Sequence, residues 1–79
     1  MDRTIAVEEG LAPVKQYLQA KGYTVVGFHA GQTADAAVIS GGDENMLGMQ
    51  AVVLDGPVID ARGMSPEDVL RVIESKWRH

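Results

Sequence analysis

The sequence predicts an α/β fold, a small three-layer domain on a parallel sheet of about four strands, and three observations lead there. Four short apolar runs rich in β-branched residues, Thr4–Val7, Tyr23–Phe28, Ala36–Ile39 and Val58–Asp60, are separated by stretches with helical spacing or capping chemistry. Ala36-Ala37-Val38-Ile39 is continuously apolar rather than alternating, which suits a strand covered on both faces. Finally, Glu8-Glu9-Gly10, Ser40-Gly41-Gly42-Asp43-Glu44-Asn45 and Asp60-Ala61-Arg62-Gly63 each follow an apolar run and precede a helix-like stretch. In a parallel α/β sheet such loops meet at the carboxyl ends of the strands, where ligands usually bind.

The first strand is expected to end near Glu8, where Thr4-Ile5-Ala6-Val7 turns abruptly acidic. From Gly10 to Lys21 the apolar residues Leu11, Val14, Tyr17 and Leu18 keep helical spacing. Pro13 is tolerated there because amide hydrogens in a first turn lack intrahelical partners. Lys21-Gly22 supplies a cationic last turn and a left-handed cap. Tyr23 to Phe28 is the second strand, and His29 to Asp35 is a loop or one helical turn before the third strand at Ala36–Ile39. Asp43 or a neighbour caps a short helix running to about Gln50. Val52-Val53-Leu54-Asp55-Gly56-Pro57 admits a hairpin through its Asp-Gly turn, but Pro57 weakens the second arm. A loop leading to a fourth parallel strand at Val58–Asp60 is the favoured reading.

Ser65-Pro66-Glu67-Asp68 is the clearest local signal, with a capping hydroxyl, a proline at the first helical position and two acids in the first turn. Met64 and Val69 can close a hydrophobic staple over it, and Val69, Leu70, Ile73 and Trp77 form its buried face. Right-handed crossovers between these units predict the strand order 2-1-3-4, Rossmann-like, with helices on both faces.

Length and composition bound the rest. The 79 residues make one domain, 1–79, and with 46% hydrophobic residues it reads as globular. The absence of cysteine excludes disulfides and cysteine-ligated zinc and makes the cytoplasm the default location. Neither a signal peptide nor a membrane span is expected, since no run reaches about 18 apolar residues. A net charge of −4 speaks against nucleic acid as a partner, and the basic cluster Lys76, Arg78 and His79 reads as favourable charge at a helix C-terminus.

The candidate ligand-binding residues are Glu8, Glu9, Gly41, Gly42, Asp43, Asn45, Asp60 and Arg62. Gly41 and Gly42 permit tight turns, and amides at the following helix N-terminus suit an anion or carboxylate; the plainer use of Asp43 is as a helix cap. Gly41-Gly42-Asp43-Glu44-Asn45 looks like the Gly-Gly-Asp-Glu-Phe signature of diguanylate cyclases, but it ends in Asn and lies in a chain about half the needed length. Glu8, Glu9 and Asp43 sit where response-regulator receivers keep a magnesium site, yet Ser40 stands where a receiver needs its phosphorylated Asp. Arg62 has the planar fork to clamp an anion, or to pair internally with Glu8, Glu9 or Asp60. His29 and His79 are too isolated to indicate a metal, and no cofactor is indicated.

Ile5-Ala6-Val7-Glu8-Glu9-Gly10-Leu11, Gly22-Tyr23-Thr24-Val25-Val26, Gly41 to Gly48 and Val58-Ile59-Asp60-Ala61-Arg62-Gly63 together resemble the YkuS family of small bacterial proteins, over nearly the whole chain. That family is catalogued as an uncharacterised protein family, so the resemblance implies a bacterial cytosolic domain and carries over no catalytic residue. The fold is also similar to sugar-phosphotransferase IIB domains, whose phosphorylated Cys or His after the first strand is replaced here by Glu8.

The leading functional reading is a non-enzymatic ligand-binding or regulatory module whose crevice takes a small anionic ligand. The alternative is a homodimeric protein-interaction module using Met46, Leu47 and Met49, on a helix too short to bury all three. A metal-dependent phosphoryl-transfer or acid–base enzyme built on Glu8, Glu9 and Asp43 ranks last.

Overall fold

Two parallel sheets and two helices form the described part of the chain, residues 3–29, 31–40 and 52–77 of a computed structural model. In chain order these are β1 (Thr4–Val7), α1 (Ala12–Ala20), β2 (Thr24–Val26), β3 (Thr33–Ala34), β4 (Ala36–Ile39), β5 (Val53–Leu54), β6 (Val58–Asp60) and α2 (Pro66–Trp77). The main sheet runs β2-β1-β4-β6, with every neighbouring pair parallel. This numbering differs in detail from the expected 2-1-3-4 because β3 and β5 enter the chain order and pair with each other in a separate two-stranded sheet.

Alternation along β1 splits the core. Ile5 and Val7 face one side with Ala36, Val38 and Ile59, and there meet Val14 and Leu18 of α1 and Val69, Leu70 and Ile73 of α2. Both described helices therefore share one face of the sheet. Ala6 and Ala37 point the other way and pack with Ala34, Val52 and the half-buried Val26, Phe28 and Leu54. Alanines there leave room for the β3–β5 ribbon to lie close. The short helix expected from Asp43 to Gln50 falls outside the described residues.

Local chemistry sets the ends of the helices. Gly22 adopts φ +97°, and the amides of Gly22 and Tyr23 donate to the carbonyls of Gln19 and Leu18 at 3.0 and 3.1 Å, the paired bonds of a Schellman cap. At the other end α1 starts at Ala12, later than expected, with Leu11 offering no capping side chain. Ahead of α2, Ser65 Oγ accepts the Asp68 amide at 3.1 Å, as its sequence demands.

Two connections depart from expectation. β2 stops at Val26, because β1 pairs with it only from Thr4 to Ala6. Val53–Leu54 is neither a hairpin arm nor a plain loop but a strand parallel to β3, with Val53 and Asp55 donating to the carbonyls of Gln32 and Ala34. The turn after it brings Gly56 so near Asp35 that a Cβ would sit 1.7 Å from the Asp35 carbonyl oxygen. That carbonyl also accepts Trp77 Nε1–H at 3.1 Å. Trp77 is further held by the Arg3 guanidinium, 4.4 Å from its ring centroid, and by the Tyr23 ring.

Candidate functional site

The order β2-β1-β4-β6 contains a switch: from β1 the chain moves outward to β2, then returns to build β4 and β6 on the opposite side of β1. The carboxyl ends of β1 and β4 consequently flank the topological switch point, the place where open α/β sheets usually take ligands. Glu8 follows β1 and Ser40 follows β4, and the Val7↔Val38 register sets them side by side. The Glu8 amide donates to the Val38 carbonyl at 3.0 Å, and the Ser40 hydroxyl donates to Glu8 Oε2. The other carboxylate oxygen, Oε1, is buried without a hydrogen-bond partner among the described residues. A buried acceptor left in that state costs about 1 to 3 kcal/mol, more when charged.

The third loop is built by a short-range pair. Ala61 continues the β4–β6 ladder through its amide to the Ile39 carbonyl at 2.7 Å, leaving Asp60 and Arg62 exposed at the strand end. Arg62 donates its amide to Asp60 Oδ1 at 3.1 Å and its Nε and Nη2 to Oδ2 at 3.1 and 2.9 Å. These hydrogen bonds hold the Asp60 carboxyl below its ordinary 3.8. Of the three acids weighed as partners for Arg62, its described bonds go to Asp60. β4 intervenes between β6 and β1, a separation of about 10 Å at ordinary strand spacing, so the acid on its own loop is the nearer one. With the Arg62 side chain 70% exposed, the pair contributes little to stability.

Glu9 takes a different position. It lines a cleft of about 260 Å³ with Lys15, Gly27, Phe28 and His29, between the loop after β1 and the end of β2. The His29 imidazole lies 3.0 Å from where a Gly27 Cβ would be, so glycine lets the ring close over the strand end.

A larger depression, about 540 Å³, lies at the amino ends of the strands, lined by Thr4, Thr33, Ala34, Asp35, Val53, Leu54 and Asp55. It is the poorer ligand site despite its size. The Asp35 carboxylate is already taken by the Thr4 amide at 2.8 Å, and the pole is the opposite one from that at which such sheets bind.

Glu8, Glu9, Asp60 and Arg62 thus all stand at the carboxyl pole, divided among three local arrangements. Gly41, Gly42, Asp43 and Asn45, and the interface candidates Met46, Leu47 and Met49, lie outside the described residues. Sequence reasoning did not single out Ser40 or Lys15, which the structure places beside Glu8 and Glu9. The signal for Ser40 was present, since it is the first polar residue after a strand expected beside β1. Lys15 carried no such signal. Among the described residues no group of three or more His, Cys, Asp or Glu side chains could hold a metal ion, and no helix is long and apolar enough to cross a membrane.

The model of the uncharacterised protein family UPF0180 matches residues 3–76. A UPF0180 protein from Geobacillus kaustophilus is 39% identical over 77 residues, covering 94% of this chain and 96% of that protein. One from Bacillus cereus is 36% identical over 75 residues, covering 91% and 95%, and one from Halalkalibacterium halodurans is 35% identical over 77 residues, covering 94% of each. No solved structure matches. A family match spanning both sheets and both helices, with these relatives, agrees with the resemblance to small bacterial YkuS proteins: the chain belongs to the UPF0180 family.

Proposed function

We propose that this protein is a non-enzymatic ligand-binding or regulatory module whose ligand seats between the loops at the carboxyl ends of β1, β4 and β6. One observation carries the reading: Glu8 stands at the switch point with one carboxylate oxygen held by Ser40 and the other buried without a partner among the described residues. A ligand that brings an N–H or O–H donor to Glu8 removes that unfavourable state and gains a charge-assisted hydrogen bond. The ligand is small and anionic, drawn by Arg62, with Glu8 and Glu9 selecting among anions by demanding a donor beside the negative group. The Ser40 hydroxyl, engaged by Glu8, acts in positioning. We take the module to be cytoplasmic, in keeping with its lack of cysteine.

A thermal-shift screen of anionic metabolites, run on the wild type and on Glu8→Gln, tests the reading. A ligand at 100 times its Kd adds about 2.7 kcal/mol, which for a domain of this size raises Tm by roughly 10 to 20 °C. The rise should be absent in Glu8→Gln. A screen without stabilising compounds, or with compounds that stabilise both proteins equally, removes the basis of the reading.

A further inference from the structure

We infer that the cleft formed by Glu9, Lys15, Gly27, Phe28 and His29 binds a small zwitterion carrying an ammonium and a carboxylate on one short skeleton. The inference rests on the reading of the carboxyl pole as a ligand site and concerns a cleft at that pole on the β2 side of β1, apart from the Glu8–Ser40 pair. Three separate segments bring polar groups to this cleft: the Glu9 carboxylate from the turn after β1, the Lys15 ammonium from α1 and the His29 imidazole from the segment after β2. Among the described residues none of these three side chains has a hydrogen bond or ion pair to another. Their pairing capacity is open to a ligand.

Size and charge then narrow the ligand. A volume of about 260 Å³ falls just below the roughly 300 to 1,000 Å³ typical of drug-sized pockets, which suits a molecule on the scale of a single amino acid. A simple anion entering the cleft meets repulsion from Glu9, and a simple amine meets repulsion from Lys15. A zwitterion satisfies both, its carboxylate toward Lys15 and the His29 imidazole and its ammonium toward Glu9. The half-buried Phe28 ring offers apolar contact to the skeleton between them.

The test is a ¹H–¹⁵N NMR titration of the full chain with the proteinogenic α-amino acids, with acetate and methylammonium as single-charge controls. At least one amino acid should shift the Glu9, Gly27 and His29 amides saturably, with both controls at least tenfold weaker. Glu9→Gln and Lys15→Met, which keep the side-chain stems, should each weaken binding tenfold or more while the spectrum stays dispersed. Controls that bind as well as the amino acids, or variants that retain full affinity, overturn the inference. If no amino acid moves the spectrum while a metabolite still stabilises the wild type and not Glu8→Gln, the zwitterion inference fails and the ligand-binding reading stands. Failure of both experiments removes both.

Discussion

Gly56→Ala is the substitution that the packing forbids most directly. Its Cβ would lie 1.7 Å from the Asp35 carbonyl oxygen and 2.8 Å from the carbonyl carbon. Even a close C–H···O contact needs about 3.3 Å, so one backbone must retreat by roughly 1.5 Å. Asp35 is poorly placed to give way. Its amide donates to the Thr4 carbonyl at 2.7 Å, its carboxylate accepts the Thr4 amide at 2.8 Å, and its carbonyl holds Trp77 Nε1 at 3.1 Å. Overpacking costs about 1 to 3 kcal/mol and the loosened Trp77 bond about 0.5 to 1.5, together about 1.5 to 4.5 kcal/mol. A domain of this length has only about 4 to 12 kcal/mol in all. Tm should therefore fall by roughly 10 to 30 °C. Urea melts followed by the fluorescence of the single tryptophan measure the loss at its source. A Gly56→Ala protein within about 0.5 kcal/mol of the wild type, the range of ordinary surface substitutions, would show that β5 and its turn do not pack against Asp35.

Ser65→Ala deletes the bond to the Asp68 amide and should cost about 0.5 to 2 kcal/mol in the same melts; an unchanged midpoint would mean that α2 does not start there. Burial, and then the hydrogen bond to Glu74, raises the Tyr23 hydroxyl above its ordinary 10.0. The folded state thus holds this proton more tightly than the unfolded state, and the stabilisation is full below pH 10.0 and lost as pH rises through the raised value. Tyr23→Phe should flatten the alkaline limb of a stability–pH profile, and an unaltered limb contradicts the assignment. Asp60 has the opposite sign: its stabilising contribution is present above 3.8 and lost as pH falls through the depressed value. Arg62→Ala should move the Asp60 midpoint, followed by carboxyl ¹³C NMR, back toward 3.8, whereas a midpoint that does not move would separate Asp60 from Arg62 in solution.

What the sequence made legible was what local chemistry decides. Ala36–Ile39 and Val58–Asp60 form strands with the expected ends, and Ser65-Pro66 starts α2, because burial on both faces and capping each leave a signature within a few residues. The β3–β5 ribbon was illegible. Its strands are two residues each, too short to show a period, and their pairing joins segments twenty residues apart in the chain. Which face each helix takes was equally hidden, since an amphipathic stripe shows that a helix packs and not on which side of a sheet. At the candidate site, residue type and spacing placed Glu8 and Arg62 at strand ends, as the structure does. Their partners depended on register and distance: Ser40 is brought beside Glu8 by the β1–β4 pairing, and Asp60 was simply the nearest acid to Arg62.

The central claim is that function resides at the carboxyl pole of the sheet around Glu8, and mapping a stabilising metabolite onto the assigned ¹H–¹⁵N spectrum tests it most directly. Amide shifts should concentrate at residues 8–10, 27–29, 40 and 61–63 and collapse in Glu8→Gln. Shifts centred instead on residues 33–35 and 53–55, around the larger depression at the amino pole, would contradict it.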